Sequence, residues 1–314
     1  MIYKIAVLDD YLNLTKDLIN WSEIPNSKVD FYNDTIIDSE DFINRLLPYD
    51  IIIIIRERSK FPREVLAKLP NLSLIAASGT GLANIDLKSA KEFNIDITTT
   101  KGTRSSSGGS TAEMTWTLIL ALSKQLIIHH ENLKNGVWQS QTIDELYGKK
   151  IGILGLGRIG LQVARISQVF GMEVIGWSPT IDQVRAKKNN IKLVGKDMLF
   201  KESDFLSVHL KLSNESNNFI TLKELSMMKK SAYIINTARG QIINENDLLY
   251  VLEKNIISGA GLDVFHTEPL PKSHKLVSMK NVVLSPHLGY ATITNLREYM
   301  EISKNNIISW ISDK

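Results

Sequence analysis

Lys150-Ile151-Gly152-Ile153-Leu154-Gly155-Leu156-Gly157-Arg158-Ile159-Gly160 is the stretch from which the rest of the chain is read. A short apolar run ends in glycines spaced G-x-G-x-x-G, and a helical pattern follows from Leu161 to Val169. The apolar run reads as a strand that delivers the chain to Gly155, where a tight turn is needed. Gly157 has no Cβ, so the backbone there can approach a pyrophosphate. Gly160 lets the following helix pack against the strand, and the helix's free N–H groups and positive dipole end face the anion. Strand, glycines and helix in this order predict a dinucleotide site.

The chain has 314 residues, a length that suggests two domains. It is 43% hydrophobic and 23% charged, ordinary for a globular protein with a substantial core. The formal net charge is +3 with Lys and Arg spread along the chain, which gives no argument for nucleic acid or membrane, and neither is expected as a partner. Cysteine is absent, which excludes disulfides, thiolate catalysis and zinc–sulfur sites. Met1 leads straight into an alternating strand with no cleavage-site pattern, so a cytoplasmic location is expected.

The first hundred residues alternate strand and helix. Strands are predicted at Tyr3–Leu8, Lys28–Tyr32, Asp50–Ile55, Leu72–Ala76 and Ile95–Thr99, and helices at Asp38–Leu46, Pro62–Lys68 and Asp86–Phe93. The five isoleucines Ile51 to Ile55 suit a central strand buried on both faces. A hinge-like stretch, Thr100 to Gly109, follows and ends at Ser110-Thr111-Ala112-Glu113, which has the S-x-x-E spacing of a capping box. The helix expected to Leu122 is apolar almost all round, so it is buried, and a periodic stretch from His129 to Trp138 extends the arm. Strands then read at Ile151–Leu154, Glu173–Trp177, Phe205–His209, Ala232–Asn236, Gly259–Asp263 and Val282–Leu284, with a helix at Glu245–Lys254 and an amphipathic helical tail from Ala291 to Trp310. The rhythm predicts an α/β fold with two doubly wound parallel sheets. The expected division is 1–100 plus 289–314 for one domain and 101–288 for the other.

Three strand ends downstream of the glycines carry chemistry. Ile234-Ile235-Asn236-Thr237-Ala238-Arg239-Gly240 places an Arg where open α/β sheets bind ligands, and a guanidinium suits a carboxylate. Gly259-Ala260-Gly261-Leu262-Asp263-Val264-Phe265-His266-Thr267-Glu268-Pro269 carries an Asp at a strand end and then Glu-Pro. Leu284-Ser285-Pro286-His287-Leu288-Gly289 carries a His, whose imidazole can pass a proton near neutrality. Read singly, these are equally a surface Arg, a loop charge and a structural His. Read together they are complementary. Arg239 would hold an acid, His287 would exchange a proton, and Glu268 would orient and stabilise the imidazolium.

In order and separation, Gly155–Gly160, Asn236–Gly240 with Glu245 after it, Gly259–Pro271 and Ser285–Gly289 resemble the NAD(P)-dependent D-2-hydroxyacid dehydrogenase family, the group of the phosphoglycerate dehydrogenases and hydroxypyruvate reductases. Ser78-Gly79-Thr80-Gly81-Leu82-Ala83-Asn84-Ile85-Asp86 extends the resemblance over nearly the whole chain. The resemblance implies a flavodoxin-like substrate domain with an inserted Rossmann domain and a site in the cleft between them. It implies Arg239, Glu268 and His287 as the catalytic residues. Gly79, Thr80 and Gly81, with Arg239, would bind the substrate carboxylate. Contacts to NAD or NADP would fall on Gly155, Gly157, Arg158, Ile159, Gly160, Ser178, Thr237, Ala238, Arg239, Asp263, His287 and Gly289, with Asp263 toward the nicotinamide carboxamide. It also implies a homodimer formed through the Ser110–Trp138 arm, with Trp138 reaching toward the partner's site in some members.

Two departures bear on specificity. Ser178 stands 18 residues past Gly160, where an acid is expected for the ribose 2′-hydroxyl, so NADP is open beside NAD. Arg185, Lys187 and Lys188 are either partners for a 2′-phosphate or a solvated helix face. Ala83 replaces the Asp that often precedes Asn84 in the family. Arg56 and Arg58 end the isoleucine strand, where they either read a distal acidic group on the substrate or pair with Glu57 or Asp86. The expected reaction is reversible hydride transfer between NAD(P)H and C2 of a 2-oxo or 2-hydroxy acid of D configuration. No metal is needed, because the imidazolium and Arg239 already polarise the carbonyl. The alternatives are a cofactor-sensing, corepressor-like binding protein on the same fold and a formate- or phosphite-type dehydrogenase.

Overall fold

The computed structural model describes residues 2–100, 109–180 and 183–314. Its contacts divide the chain into two compact units, 1–106 with 291–314, and 107–290.

The first unit holds β1 (Tyr3–Leu8), α1 (Thr15–Leu18), β2 (Ser27–Phe31), α2 (Ser39–Leu46), β3 (Ile51–Ile55), α3 (Arg63–Leu66), β4 (Leu74–Ser78), α4 (Leu87–Glu92) and β5 (Asp96–Thr99). The C-terminal helix, Ile293–Ser312, belongs to the same unit. Among the described residues the sheet runs β2-β1-β3-β4-β5, all parallel, with Val7 opposite Ile53 and Ile53 opposite Ala76. The isoleucine run is β3, and no residue in it is more than 2% exposed. Strands covered on both faces need no polar side, which is why its sequence does not alternate. Asp38 caps α2 by accepting from Glu40 N and Asp41 N, and Asp86 caps α4 by accepting from Ser89 N. The C-terminal helix is tied to this unit by Lys304, buried between Glu23 (2.6 Å) and Glu301 (2.8 Å), and by Asn306 Nδ2 donating to Thr99 O.

The second unit opens with α5 (Gly109–Ser123) and α6 (Leu126–Lys134). Then come β6 (Lys150–Leu154), α7 (Arg158–Val169), β7 (Glu173–Trp177), α8 (Gln183–Lys188), β8 (Lys192–Leu193), α9 (Lys196–Glu202) and β9 (Phe205–Val208). It closes with α10 (Leu222–Leu225), β10 (Tyr233–Asn236), α11 (Glu245–Glu253), β11 (Gly259–Leu262), α12 (Lys275–Ser278) and β12 (Val282–Leu284). The parallel sheet is ordered β12-β11-β10-β9-β6-β7-β8. Its faces are covered by separate cores, one including Leu206, Ile234, Leu248 and Val251, the other Leu118, Ile119, Ile151 and Ile235. Alternate residues of the same strands feed each core, so the strands are apolar throughout and α5, which covers one face, is apolar as well. Both units are α/β with parallel sheets, as the βα rhythm predicts.

Three local expectations are corrected, and one edge strand left no trace in the sequence. The fourth strand begins at Leu74 and not Leu72, because Leu72 N donates to Leu69 O and closes the turn after α3. The edge strand β8, two residues long, is too short to show a pattern. The arm helix α6 starts before His129 and stops at Lys134, and Gly136 at φ +77° then turns the chain, so Trp138 lies beyond it. Ser110 is not an N-cap, since it lies inside α5 and its hydroxyl donates to Gly289 O. Apart from Thr100 and Gly109, the hinge-like stretch lies outside the described residues.

Candidate active site

The glycine turn behaves as its spacing requires. Gly155 has φ +103°, and a Cβ there would lie 2.7 Å from the His209 carbonyl group. At Gly160 a Cβ would lie 2.2 Å from Gly155 O, so any side chain would push α7 off the turn. The Cβ direction at Gly157 opens into empty space, and Gly157, which has no side chain to accept from the helix's first N–H groups, is the N-cap of α7. A backbone cradle at a helix start with room above it fits a pyrophosphate. Neighbouring His209 has its imidazole pushed down to about 3 by burial, and Nε2 pairs with Ser207 Oγ at 2.8 Å, so it brings no charge to this turn.

Ser178 follows β7 directly and is 8% exposed. It puts no carboxylate where the ribose edge is expected. Arg185, Lys187 and Lys188 all lie on the exposed side of α8.

The loop after β10 is clipped by a residue whose part in the site sequence reasoning missed. Asn236, 1% exposed, accepts from Ala238 N (3.0 Å) and donates to Arg239 O (2.9 Å). Only its place inside the matching Asn236–Gly240 stretch could have marked it. The clip holds a tight turn that presents Arg239, whose Nη1 donates to Ala238 O at 2.6 Å.

The loops after β11 and β12 bring Glu268 and His287 together. His287 Nδ1 lies 2.6 Å from Glu268 Oε2, and Glu268 Oε1 accepts from Phe265 N at 3.0 Å. Both side chains are mostly buried, at 12% and 18% exposure. With both carboxylate oxygens engaged, Glu268 fixes the ring and favours the tautomer that carries its proton on Nδ1.

Asp263, 1% exposed, uses both oxygens on the next residues of the His287 loop. Oδ1 accepts from Leu288 N (2.7 Å) and Oδ2 from Gly289 N (2.8 Å). Burial pushes the Asp263 carboxyl up, and the two N–H groups and His287 hold it partly down. His287 itself sits at φ +53°, a left-handed conformation that a non-glycine residue keeps only where its surroundings enforce it.

In the first unit, Gly79 N donates to Thr100 Oγ1 at 2.6 Å. Its N–H is therefore engaged within the unit. The Arg56 guanidinium covers Gly79, with Nη1 2.6 Å from where a Cβ would stand. Arg58 lies over the Tyr11 ring and donates to Asp9 O.

Residues 116–289 match the family described as "D-isomer specific 2-hydroxyacid dehydrogenase, NAD binding domain". A D-3-phosphoglycerate dehydrogenase of Methanocaldococcus jannaschii is 35% identical over 261 residues, 82% of this chain and 49% of that protein, so this chain spans about half the relative's length. A hydroxypyruvate reductase of Thermotoga maritima is 35% identical over 257 residues, 81% of this chain and 82% of that one. Among solved structures, phosphoglycerate oxidoreductase from Vibrio cholerae superposes with a TM-score of 0.92 at 30% identity, covering 100% of both chains. The cofactor is NAD or NADP, and no helix among the described residues is long and apolar enough to cross a membrane. Glycine turn, parallel sheet, matched sequence and shared fold agree, and this chain belongs to the D-isomer specific 2-hydroxyacid dehydrogenase family.

Proposed function

We propose that this protein moves a hydride reversibly between NAD(P)H and C2 of a 2-oxo or 2-hydroxy acid of D configuration, with His287 as the acid/base. The observation that carries the reading is the 2.6 Å pairing of His287 Nδ1 with a Glu268 carboxylate that is itself tied to Phe265 N. With Nδ1 engaged by Glu268, Nε2 is the ring nitrogen left to exchange a proton with the substrate oxygen. In the direction of reduction the imidazolium gives up its proton there, and Glu268 stabilises the charged ring beforehand. Arg239 holds the substrate carboxylate, and the Gly79–Gly81 loop supplies further donors to it. The bound nicotinamide would supply or accept the hydride. Gly155, Gly157, Arg158, Ile159 and Gly160 would hold the pyrophosphate, Ser178 the ribose edge, and Thr237, Ala238, Asp263 and Gly289 the nicotinamide end.

Arg56, whose guanidinium lies against Gly79, would read a second acidic group on the substrate. The names of the relatives point to hydroxypyruvate and 3-phosphoglycerate as acids to try. We place the enzyme in the cytoplasm, a setting that suits a chain without cysteine. It would work as a homodimer through the α5–α6 arm, where Leu126 (59%), Ile127 (54%), Leu133 (57%) and Trp138 (75%) are exposed.

A spectrophotometric screen of 2-oxo and 2-hydroxy acids with both nicotinamide cofactors tests the proposal. Turnover of at least one acid is expected. Tight cofactor binding with no turnover of any acid would favour the sensor, and turnover of formate or phosphite alone would favour the other dehydrogenase class.

A further inference from the structure

The loops carrying Arg239 and His287 leave different strands, yet both are fastened to the same edge of α5. Ser110 Oγ and Thr111 Oγ1 both donate to Gly289 O, at 2.7 and 2.8 Å. One carbonyl has two acceptor positions, and here both are filled from the first turn of one helix. Gly289 lies two residues after His287. One turn further along α5, Thr115, fully buried, donates Oγ1 to Thr111 O at 2.8 Å. The same oxygen lies 2.8 Å from Thr237 Oγ1. A hydroxyl has a single proton, so Thr237 is the donor in that second bond. Thr237 lies two residues before Arg239.

We propose that Ser110, Thr111 and Thr115 are positioning residues that hold the His287 and Arg239 loops in register with each other. His287 sits at φ +53° and needs anchors on both sides to stay there. Asp263 takes the N–H groups of Leu288 and Gly289 on one side, and the α5 hydroxyls take the Gly289 carbonyl on the other. If the hydroxyls are removed, the Gly289 carbonyl loses both of these partners and His287 drifts from Glu268. Without the Thr115 oxygen, Thr237 loses its acceptor and the turn before Arg239 is freed. The apolar body of α5 buries the helix, and its hydroxyl edge sets the chemistry. This inference rests on the reading of His287 and Arg239 as the working residues.

The test compares Thr111→Val, the double variant Ser110→Ala/Thr111→Val, and Thr115→Val with Thr111→Ser and Thr115→Ser, using kcat, KM, the pH profile of reduction and Tm. His287→Ala and Arg239→Ala are run in parallel. Thr111→Val keeps the Ser110 bond and so covers the case in which the double variant does not fold. The double variant is expected to lose about 10- to 100-fold in kcat, the scale of a small misplacement of reacting groups. Thr115→Val should act mainly on KM for the acid, and the serine variants should restore wild-type values. Variants that lower Tm while kcat, KM and the pH profile stay wild-type would overturn the proposal. Wild-type kinetics in His287→Ala and Arg239→Ala would instead overturn the reading it rests on.

Discussion

Nδ1 of His287 sits 2.6 Å from Oε2 of Glu268, although the two residues leave different strands of the sheet. The contact gives the imidazole a fixed tautomer and a charged partner, with both side chains mostly buried.

His287→Ala should lower kcat by about 10²- to 10⁴-fold, the usual contribution of a positioned acid/base, while NADH still binds. Glu268→Gln should cost less in turnover than His287→Ala. Steady-state kinetics and a fluorescence titration of NADH are the measurements, and unchanged turnover in His287→Ala would count against the mechanism.

Arg239→Ala should raise KM for the acid and lower kcat/KM by about 10²-fold, with cofactor affinity little changed. Arg239→Lys should recover only part of this, because an ammonium cannot present the planar two-pronged donor face of a guanidinium. Full recovery by lysine would show that charge alone suffices.

Ser178→Asp should discriminate against NADPH, since a carboxylate at the end of β7 repels a 2′-phosphate and accepts from a 2′-hydroxyl. A change of about tenfold in the NADPH:NADH ratio of kcat/KM is expected, equivalent to about 1.4 kcal/mol. An unchanged ratio would place the ribose edge elsewhere.

Leu126→Glu with Leu133→Glu should convert the proposed dimer to monomer in sedimentation equilibrium. Each buried leucine contributes about 1.5–3 kcal/mol, and a twofold interface counts it twice. An unaltered mass would remove the α5–α6 arm from the interface.

Glu224 sets an acid limit on stability. Burial would raise its carboxyl, but bonds from the Thr221 hydroxyl and N–H and from Lys196 outweigh that and hold it at about 2, against a usual 4.5. The folded value is the lower one, so the stabilisation is fully present above about pH 4.5 and is lost as pH falls toward about 2. Glu224→Ala removes the capping box of α10 and should cost about 1 kcal/mol near neutrality. Its Tm deficit against wild type should shrink between pH 5 and pH 3, and a deficit independent of pH would contradict the assignment.

The sequence alone determined the parallel α/β character of both units, the place of the dinucleotide turn, and the strand ends that carry Arg239, Glu268 and His287. These are local properties. Five consecutive β-branched isoleucines suit a strand covered on both faces, and G-x-G-x-x-G after a strand works through the backbone of its own residues. Strand limits such as Leu72 against Leu74 were less legible, because a helix-closing hydrogen bond and a strand start compete for the same residues. Tertiary structure alone decided the partners of Ser110, Gly79 and Asp263. Ser110 reads as a helix cap but bonds a carbonyl 179 positions away, the Gly79 N–H is taken by Thr100, and Asp263 grips the loop that carries His287. A hydroxyl, an N–H or a carboxylate accepts many partners, and only the packing of distant segments brings one within reach.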